Sequence, residues 1–346
     1  MFKNSLLSDC SKIILAPLHG YTEAPFREAL AEYFNGFDEA IAPFIALSPA
    51  ERFNPIRLRD LKPARNTRMD VVPQILGNDI VSFTQTARAL FDMGYTRLNW
   101  NLGCPKRAIA AKQRGSGLLP YPDRINSILE KVIPLISQQV SVKLRLGLNH
   151  PDEIFPVMKV LNSFPLEAVI VHPRIGVEMY KKNVDLETFA KVLPLIKHPV
   201  IYNGDIFSGE DFLRLKLRFP SLAGWMIGRG ALANPFLAEQ MKGFDLPDSI
   251  VQKSRFIEFV NRLIEFYTAE SRSKNYLLNR MKDNWGFFAF RFRDIQDTYL
   301  KLIRQQTWEE FQAIQSSILA TAEWIDIRND SSVFSGTKAD NSTPEG

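Results

Sequence analysis

The sequence predicts an α/β fold: a (β/α)8 TIM barrel followed by an all-helical C-terminal region. Three observations carry this expectation. Short apolar, β-branched-rich runs recur eight times between residues 12 and 229, helix-like segments alternate with them, and the alternation stops after Phe236. The runs are KIILAPL (12–18), EAIAPFIAL (39–47), DVVPQIL (70–76), TRLNWNL (96–102), VSVKLRL (140–146), EAVIVHP (167–173), PVIYNGD (199–205) and AGWMIGR (223–229). Between them, TEAPFREALAEYF, DIVSFTQTARALFDMG, PDRINSILEKVIPLIS and PDEIFPVMKVLNSF space their apolar residues for one helix face. Near-continuous hydrophobic strands alternating with helices mean a parallel sheet covered on both faces. Eight units in about 230 residues match the count and size of a (β/α)8 barrel. A doubly wound open sheet is the competing arrangement, but no GxGxxG follows the first strand.

From about Ser249 to Ile327 the pattern is helical throughout, and the closing stretch NDSSVFSGTKADNSTPEG is polar enough to be expected disordered. The expected division is a catalytic barrel over 1–240, a helical unit over 241–328 and a tail over 329–346. Hydrophobic residues make up 45% and charged residues 23% of the 346, which is ordinary globular composition. No run is long and apolar enough for a membrane span, and Asp9 and Lys12 interrupt the apolar part of the N-terminus, so neither membrane nor signal peptide is expected. Two cysteines, Cys10 and Cys104, are too few for a disulfide framework or a zinc site. A cytoplasmic, metal-free monomer is the expectation. Between Arg272 and Arg304 stand eight Lys/Arg against three Asp, which nets +5, the same as the whole chain. Aromatics are interleaved there, mostly as a packed helix face. The charge bias makes this window the candidate for touching phosphates.

Chemistry in such barrels sits at the C-terminal ends of the strands. The polar residues at those ends are His19, Gln74, Asn101 with Cys104, Lys143 with Arg145, and His172 with Arg174. Asn203, Gly204 and Asp205 close the seventh run, and Gly228, Arg229 and Gly230 the eighth. Phosphate sites are commonly built from the loops after strands 7 and 8, where NGD and IGRG offer backbone N–H groups and one guanidinium. The ordinary alternative for GRG is a tight turn. Lys143, set among apolar residues, needs an anion: a carboxylate, or the electron-rich edge of a reduced flavin. Gln74 would offer amide contacts to the same ring. Cys104 has the alternative of a small buried hydrophobe. Fenced by Gly103 and Pro105 at the catalytic face, it suits a proton donor, since an unperturbed thiol pKa of about 8.5 leaves it protonated at neutral pH.

These residues bring the chain to a resemblance. It resembles the tRNA-dihydrouridine synthases over nearly its whole length, in LAPLHGYTEAPFRE, PQILGND, NLGCPKRAIAAKQRGSGLLPYPD, VKLRLG, VHPRIGVEMYKKNVD, PVIYNGDI and MIGRGALANPF. The resemblance implies an FMN-binding barrel, a helical unit that helps grip tRNA, and reduction of a uridine C5=C6 bond with electrons from NADPH or NADH. It implies that Cys104 protonates C5. Pro17, Leu18 and His19 would line the flavin, Gln74 and Lys143 would face its ring system, and His172 would lie beside it. Asn203, Gly204, Asp205, Gly228 and Arg229 would hold ribityl and phosphate. Asn101 would contact the flipped uracil and Arg174 a nearby phosphate. Asn279 to Trp285, NRMKDNW, resembles the bacterial subgroup acting on D-loop position 16, with Arg280 and Lys282 as tRNA contacts. Three positions depart from the family: Asn99 replaces Asp, IAPFIAL lacks an acidic group, and Leu18 replaces Met. Rival readings are a flavin barrel reducing a small molecule of the dihydroorotate or enoate type, and a tRNA-binding relative without catalysis.

Overall fold

The structure, a computed structural model, describes residues 11–47, 55–271 and 273–326. Ten strands run in chain order: β1 (Lys12–Leu15), β2 (Glu39–Ile41), β3 (Ile45–Ala46), β4 (Val71–Val72), β5 (Gln74–Leu76), β6 (Arg97–Leu102), β7 (Gln139–Gly147), β8 (Leu166–Ile175), β9 (Val200–Asn203) and β10 (Gly224–Ile227). All pair in parallel, in the order β3-β5-β6-β7-β8-β9-β10-β1-β2-β4. β2 and β3 are halves of one run split around Pro43, and β4 and β5 are halves of another split at Pro73, because proline has no N–H for the ladder. The two ends of the strand order are therefore the same two runs, so the sheet closes on itself. All eight expected runs are present, and the cylinder is the expected TIM barrel.

Thirteen helices are described: α1 (Ala24–Tyr33), α2 (Ile80–Asp92), α3 (Arg107–Ala110), α4 (Pro122–Val132), α5 (Ile154–Leu161), α6 (Leu186–Val192), α7 (Gly209–Arg218), α8 (Arg229–Ala233), α9 (Leu237–Lys242), α10 (Ser249–Glu270), α11 (Lys274–Phe288), α12 (Gln296–Arg304) and α13 (Trp308–Thr321). Local chemistry starts them. Asp79, Asp185, Ser208 and Asp248 cap α2, α6, α7 and α10 by accepting from backbone N–H groups, and prolines open α1 and α4. None is long and apolar enough to cross a membrane.

Strand residues alternate between two apolar sets. Ile14, Ala16, Ile41, Val72, Ala168, Ile170, Ile201 and Met226 fill the barrel interior, while the outward set packs under the helices. On β5 to β7 the inward set turns polar, with Gln74, Asn99, Asn101, Ser141 and Lys143. At the N-terminal mouth Arg97 donates to Glu39 at 2.6 Å, Glu167 at 2.7 Å and Asp70 at 3.3 Å, and Lys12 pairs with Glu39 at 2.6 Å. That end is a closed ionic plug.

The helical region shares the barrel's core. Phe259 of α10 meets Phe26 of α1 and Phe34, just past its end, edge-on at 5.7 and 5.3 Å, and Arg255 lies 4.4 Å over Phe236 while pairing with Glu239 at 2.6 Å. Gly36, at φ +95°, lets its loop close on α9, where a Cβ would stand 2.6 Å from the Ala238 carbonyl carbon. One apolar cluster runs from Ile13 to Trp324. The tail expected over 329–346, and Cys10, lie outside the described residues.

Replacing Arg97 by Met strands Glu39, 3% exposed, with Lys12 as its remaining partner. The loss expected in urea denaturation is about 1–3 kcal/mol, less than the roughly 3–5 kcal/mol of a buried charge left alone, because Lys12 still compensates Glu39.

Candidate active site

The loops after β9 and β10 meet at the C-terminal mouth. Asn203 Nδ2 donates to the Met226 carbonyl at 2.9 Å and ties the two strand ends together. Asp205, at φ +23°, accepts from Arg174 at 2.5 Å and from Arg229 at 3.0 Å, one arginine on each carboxylate oxygen. A cavity of about 70 Å³ lies against them, lined by Pro17, Leu18, Lys143, His172, Gly204 and Gly228 among others. Tyr180 forms its roof, 4.5 Å beneath the Arg229 guanidinium and 5.2 Å from that of Arg145.

Charge at this mouth is lopsided. Lys143 makes no ion pair among the described residues. Burial, then the neighbouring Arg145, lowers its pKa to about 7, while Cys104 pulls the other way. Burial also lowers Arg145 and Arg229. His172 falls well below the usual imidazole value, first through burial and then through the surrounding cations. It is therefore neutral, and its Nε2 accepts from Arg174 at 2.9 Å, which puts the ring proton on Nδ1. This set fits a flavin phosphate and the negative edge of a reduced ring.

Cys104 sits on a pinned loop. Asn101 Oδ1 accepts from the N–H groups of Gly103 at 3.0 Å and Cys104 at 2.9 Å. Arg145 Nε donates to the Gly103 carbonyl at 3.1 Å, and Ser116 donates to the Cys104 carbonyl through N at 3.0 Å and Oγ at 3.1 Å. Gly115, at φ +57°, is required beneath it: a Cβ would lie 2.6 Å from the Cys104 oxygen. Cys104 is 8% exposed, and burial raises its thiol pKa against the lowering effects of Lys106, Arg145 and Lys143. At neutral pH it is an undissociated acid.

The structure brings together Pro17, Leu18, Lys143, His172, Asn203, Gly204, Asp205, Gly228 and Arg229 around one cavity. Other expected residues sit differently. His19 turns away to stack on Phe44, centroids 5.5 Å apart, over an adjoining cavity of about 240 Å³. Gln74 is fully buried, bonded to Asn99 and Asn101. Arg174 is 3% exposed, donating to Lys182 O, His172 and Asp205, so as it stands it reaches no external phosphate. Arg280 is likewise turned inward, bonded to the Gly20 carbonyl and to Glu23 at 2.6 Å, and 5.0 Å from the Tyr267 ring. Trp285, the third member of the pattern that contains Arg280, is core, donating to Gln315 at 2.8 Å. Lys282 is half-buried and makes no ion pair among the described residues. Three functional positions had no sequence signal of their own: Tyr180, Ser116 and the grip of Arg145 on Gly103.

A closed parallel barrel with a polar pocket at its C-terminal mouth is the architecture of the TIM-barrel enzymes, whose chemistry sits at that end. Among them, the chain belongs to the dihydrouridine synthase (Dus) family, whose model matches residues 14–319. It is thus an oxidoreductase that uses a flavin. It is similar to tRNA-dihydrouridine synthase B of Pasteurella multocida, 29% identical over 258 residues that cover 74% of this chain and 76% of that protein. It is also similar to the tRNA-dihydrouridine(16) synthase of Pseudomonas syringae pv. tomato, 28% identical over 247 residues, 69% of this chain and 77% of that one. Among solved structures, a 2-naphthoyl-CoA reductase complex shares the fold at a TM-score of 0.52 and 11% identity, covering 67% of this chain and 50% of that chain.

A lysine whose amino group titrates at about 7 when folded, and near its ordinary value when unfolded, binds more protons in the unfolded state between those two pH values. Flavin-free protein should therefore gain stability as pH rises through that window and lose it as pH falls toward 7. Lys143→Met should flatten this part of the profile in urea denaturation, and an unchanged slope would count against the depressed value.

Proposed function

We propose that this chain reduces the C5=C6 bond of the uridine at D-loop position 16 of tRNA, with FMN as the flavin and NADPH as its reductant, and that Cys104 is the acid. The observation that carries this reading is a buried thiol on a loop whose backbone is held by five hydrogen bonds, within the field of Lys143 and Arg145 at the mouth of the barrel.

The flavin, when bound and reduced, supplies the hydride that goes to C6. The protein does the rest. Arg229 would grip the phosphate, helped by the backbone of Gly204 and Gly228, and Asp205 and Asn203 would keep that grip in shape. Pro17 and Leu18 would wall the ring, with His19 at its border and His172 alongside. Lys143 would meet the pyrimidine part of the flavin, where an anion would restore its protonated form. Asn101 has spent its oxygen on two N–H groups and one amide hydrogen on Gln74, so it offers the base one N–H donor and no acceptor. That donor suits a uracil carbonyl. The Cys104 thiol gives its proton to C5 as C6 receives the hydride, so one two-electron reduction and one proton saturate the bond. The thiolate regains its proton from solvent.

A base in folded RNA reaches this pocket only after being flipped out. Exposed Lys106 and Arg107 stand two and three residues after the acid, and exposed Lys181 and Lys182 follow Tyr180, Lys182 pairing with Glu178 at 2.9 Å. Together with Lys282 of the helical unit over 241–328 they form the cationic track for the tRNA backbone. Position 16 rests on the NRMKDNW pattern, in which Lys282 makes the tRNA contact and Arg280 braces the Gly20 turn, touching tRNA only if it leaves that brace. Arg174 acts through Asp205 and His172. The protein works as a cytoplasmic monomer, with the barrel over 1–240 carrying the chemistry.

Cys104→Ala should keep flavin and tRNA binding yet form dihydrouridine about a hundredfold or more slowly. Mapping the product in tRNA should show position 16 for the wild type. Wild-type turnover by the variant would remove the acid role. Arg229→Ala should purify without the yellow of bound flavin, and a fully loaded variant would remove its role as the phosphate grip.

A further inference from the structure

Inside the barrel the polar side chains of β5, β6 and β7 form one directional chain of hydrogen bonds. The N–H groups of Gly103 and Cys104 donate to Asn101 Oδ1 at 3.0 and 2.9 Å. Asn101 Nδ2 donates to Gln74 Oε1 at 2.8 Å, Gln74 Nε2 donates to Asn99 Oδ1 at 2.7 Å, and Asn99 Nδ2 donates to Ser141 Oγ at 2.8 Å. The Ser141 hydroxyl ends the chain on the Leu98 carbonyl at 3.3 Å. Each amide is buried, with Gln74 and Asn99 fully so.

Nothing in this chain is free to turn. A backbone N–H can only donate, so the Cys104 end fixes which way Asn101 faces. Asn101 then presents nitrogen to Gln74, which must answer with oxygen and so presents nitrogen to Asn99. Turning any one amide would set two donors or two acceptors against each other in a buried setting, where an unmatched polar group is costly. The far end matters as much as the near one. Asn99 does not line the flavin cavity, yet it is the acceptor that holds Gln74 in the orientation Asn101 needs.

We propose that Asn99 is a positioning residue for proton transfer: through Gln74 and Asn101 it holds the backbone of Cys104, and with it the thiol, at the reacting carbon. This rests on the reading of Cys104 as the acid. It also gives meaning to an amide at this position. Across the β6–β7 register Asn99 faces Ser141 and Asn101 faces Lys143. The amide gives its oxygen to Gln74 and its N–H to Ser141, so one side chain spans the step from β5 to β7.

Two substitutions separate the acceptor from the rest of the side chain. Asn99→Leu fills the space and loses both hydrogen bonds. Asn99→Asp keeps an oxygen for Gln74 and lets the Ser141 hydroxyl donate to it instead of to Leu98. With Cys10→Ser as background, so that Cys104 is the single thiol, flavin-loaded protein is followed in two ways: iodoacetamide alkylation of Cys104, and single-turnover dihydrouridine formation after prereduction. For Asn99→Leu the turnover rate should fall by about ten- to a hundredfold, because small misplacements of a reacting group cost that much. Its tRNA affinity should be unchanged and its alkylation faster. Asn99→Asp should restore both the slow alkylation and most of the turnover rate. Wild-type alkylation and turnover in Asn99→Leu, or equal defects in the two variants, would overturn the proposal. Should Asn99→Leu fail to fold or to hold flavin, Ser141→Ala decides: it removes the acceptor of Asn99 Nδ2, faster alkylation is expected, and no change overturns the proposal. Cys104→Ala in the turnover assay tests the acid itself. Full activity there would end that reading, while the alkylation contrast would still report whether Asn99 holds the loop.

Discussion

Like charges crowded around one carboxylate set the terms for this molecule. Lys143, Arg145, Arg174 and Arg229 converge at the C-terminal mouth, where Asp205 alone among the lining carboxylates answers them. The N-terminal mouth is the counterexample within the same barrel. There Lys12 and Arg97 meet Glu39, Asp70 and Glu167, and the charges close among themselves. Packing needs could be met by the balanced arrangement at both ends. The imbalance at one end is the signature of a site that waits for an anion, and the rigid strand ends of a parallel barrel are what hold such cations together in the meantime.

The helical region takes part in building that mouth. Its α10 lies along α1 with phenylalanines packed between them, and its α11 sends Arg280 to the carbonyl of Gly20, two residues after the Pro17–Leu18 wall of the cavity. Tyr267 and Glu23 complete the hold on that guanidinium. An element expected to read RNA is thus also a brace for the flavin wall.

The barrel was legible because strands buried on both faces write themselves as unbroken apolar runs, and helices between them as spaced ones. The site was legible as a set of residue types at strand ends, and the motif resemblance gave most of them a partner. What the sequence does not write is side-chain direction within a loop. His19 was expected against the flavin and stacks on Phe44 instead. Arg174 and Arg280 were expected to face phosphate and are turned inward by carboxylates distant in sequence, Asp205 and Glu23. The chain from Ser141 to Cys104 depends on strand register. Gln74 and Asn99 become partners only because β5 and β6 align them. A residue twenty-five positions away cannot be seen as an acceptor until that alignment exists.

Pro43 and Pro73 interrupt adjacent runs of the cylinder, side by side, so two neighbouring backbones each lack a donor at the same height. Elsewhere the ladders are longer, with an unbroken one from Arg97 to Leu102 between β6 and β7 and one as long, though twice shifted in register, between β7 and β8. The barrel therefore has a seam. Amide protons bordering it should exchange with solvent sooner than those between β7 and β8. The strand that leads to Cys104 borders the seam directly, since the Asn99 N–H donates to the Pro73 carbonyl at 2.9 Å, so the hydrogen bonds that clamp Gly103 and Cys104 stand next to the part of the wall that gives way first.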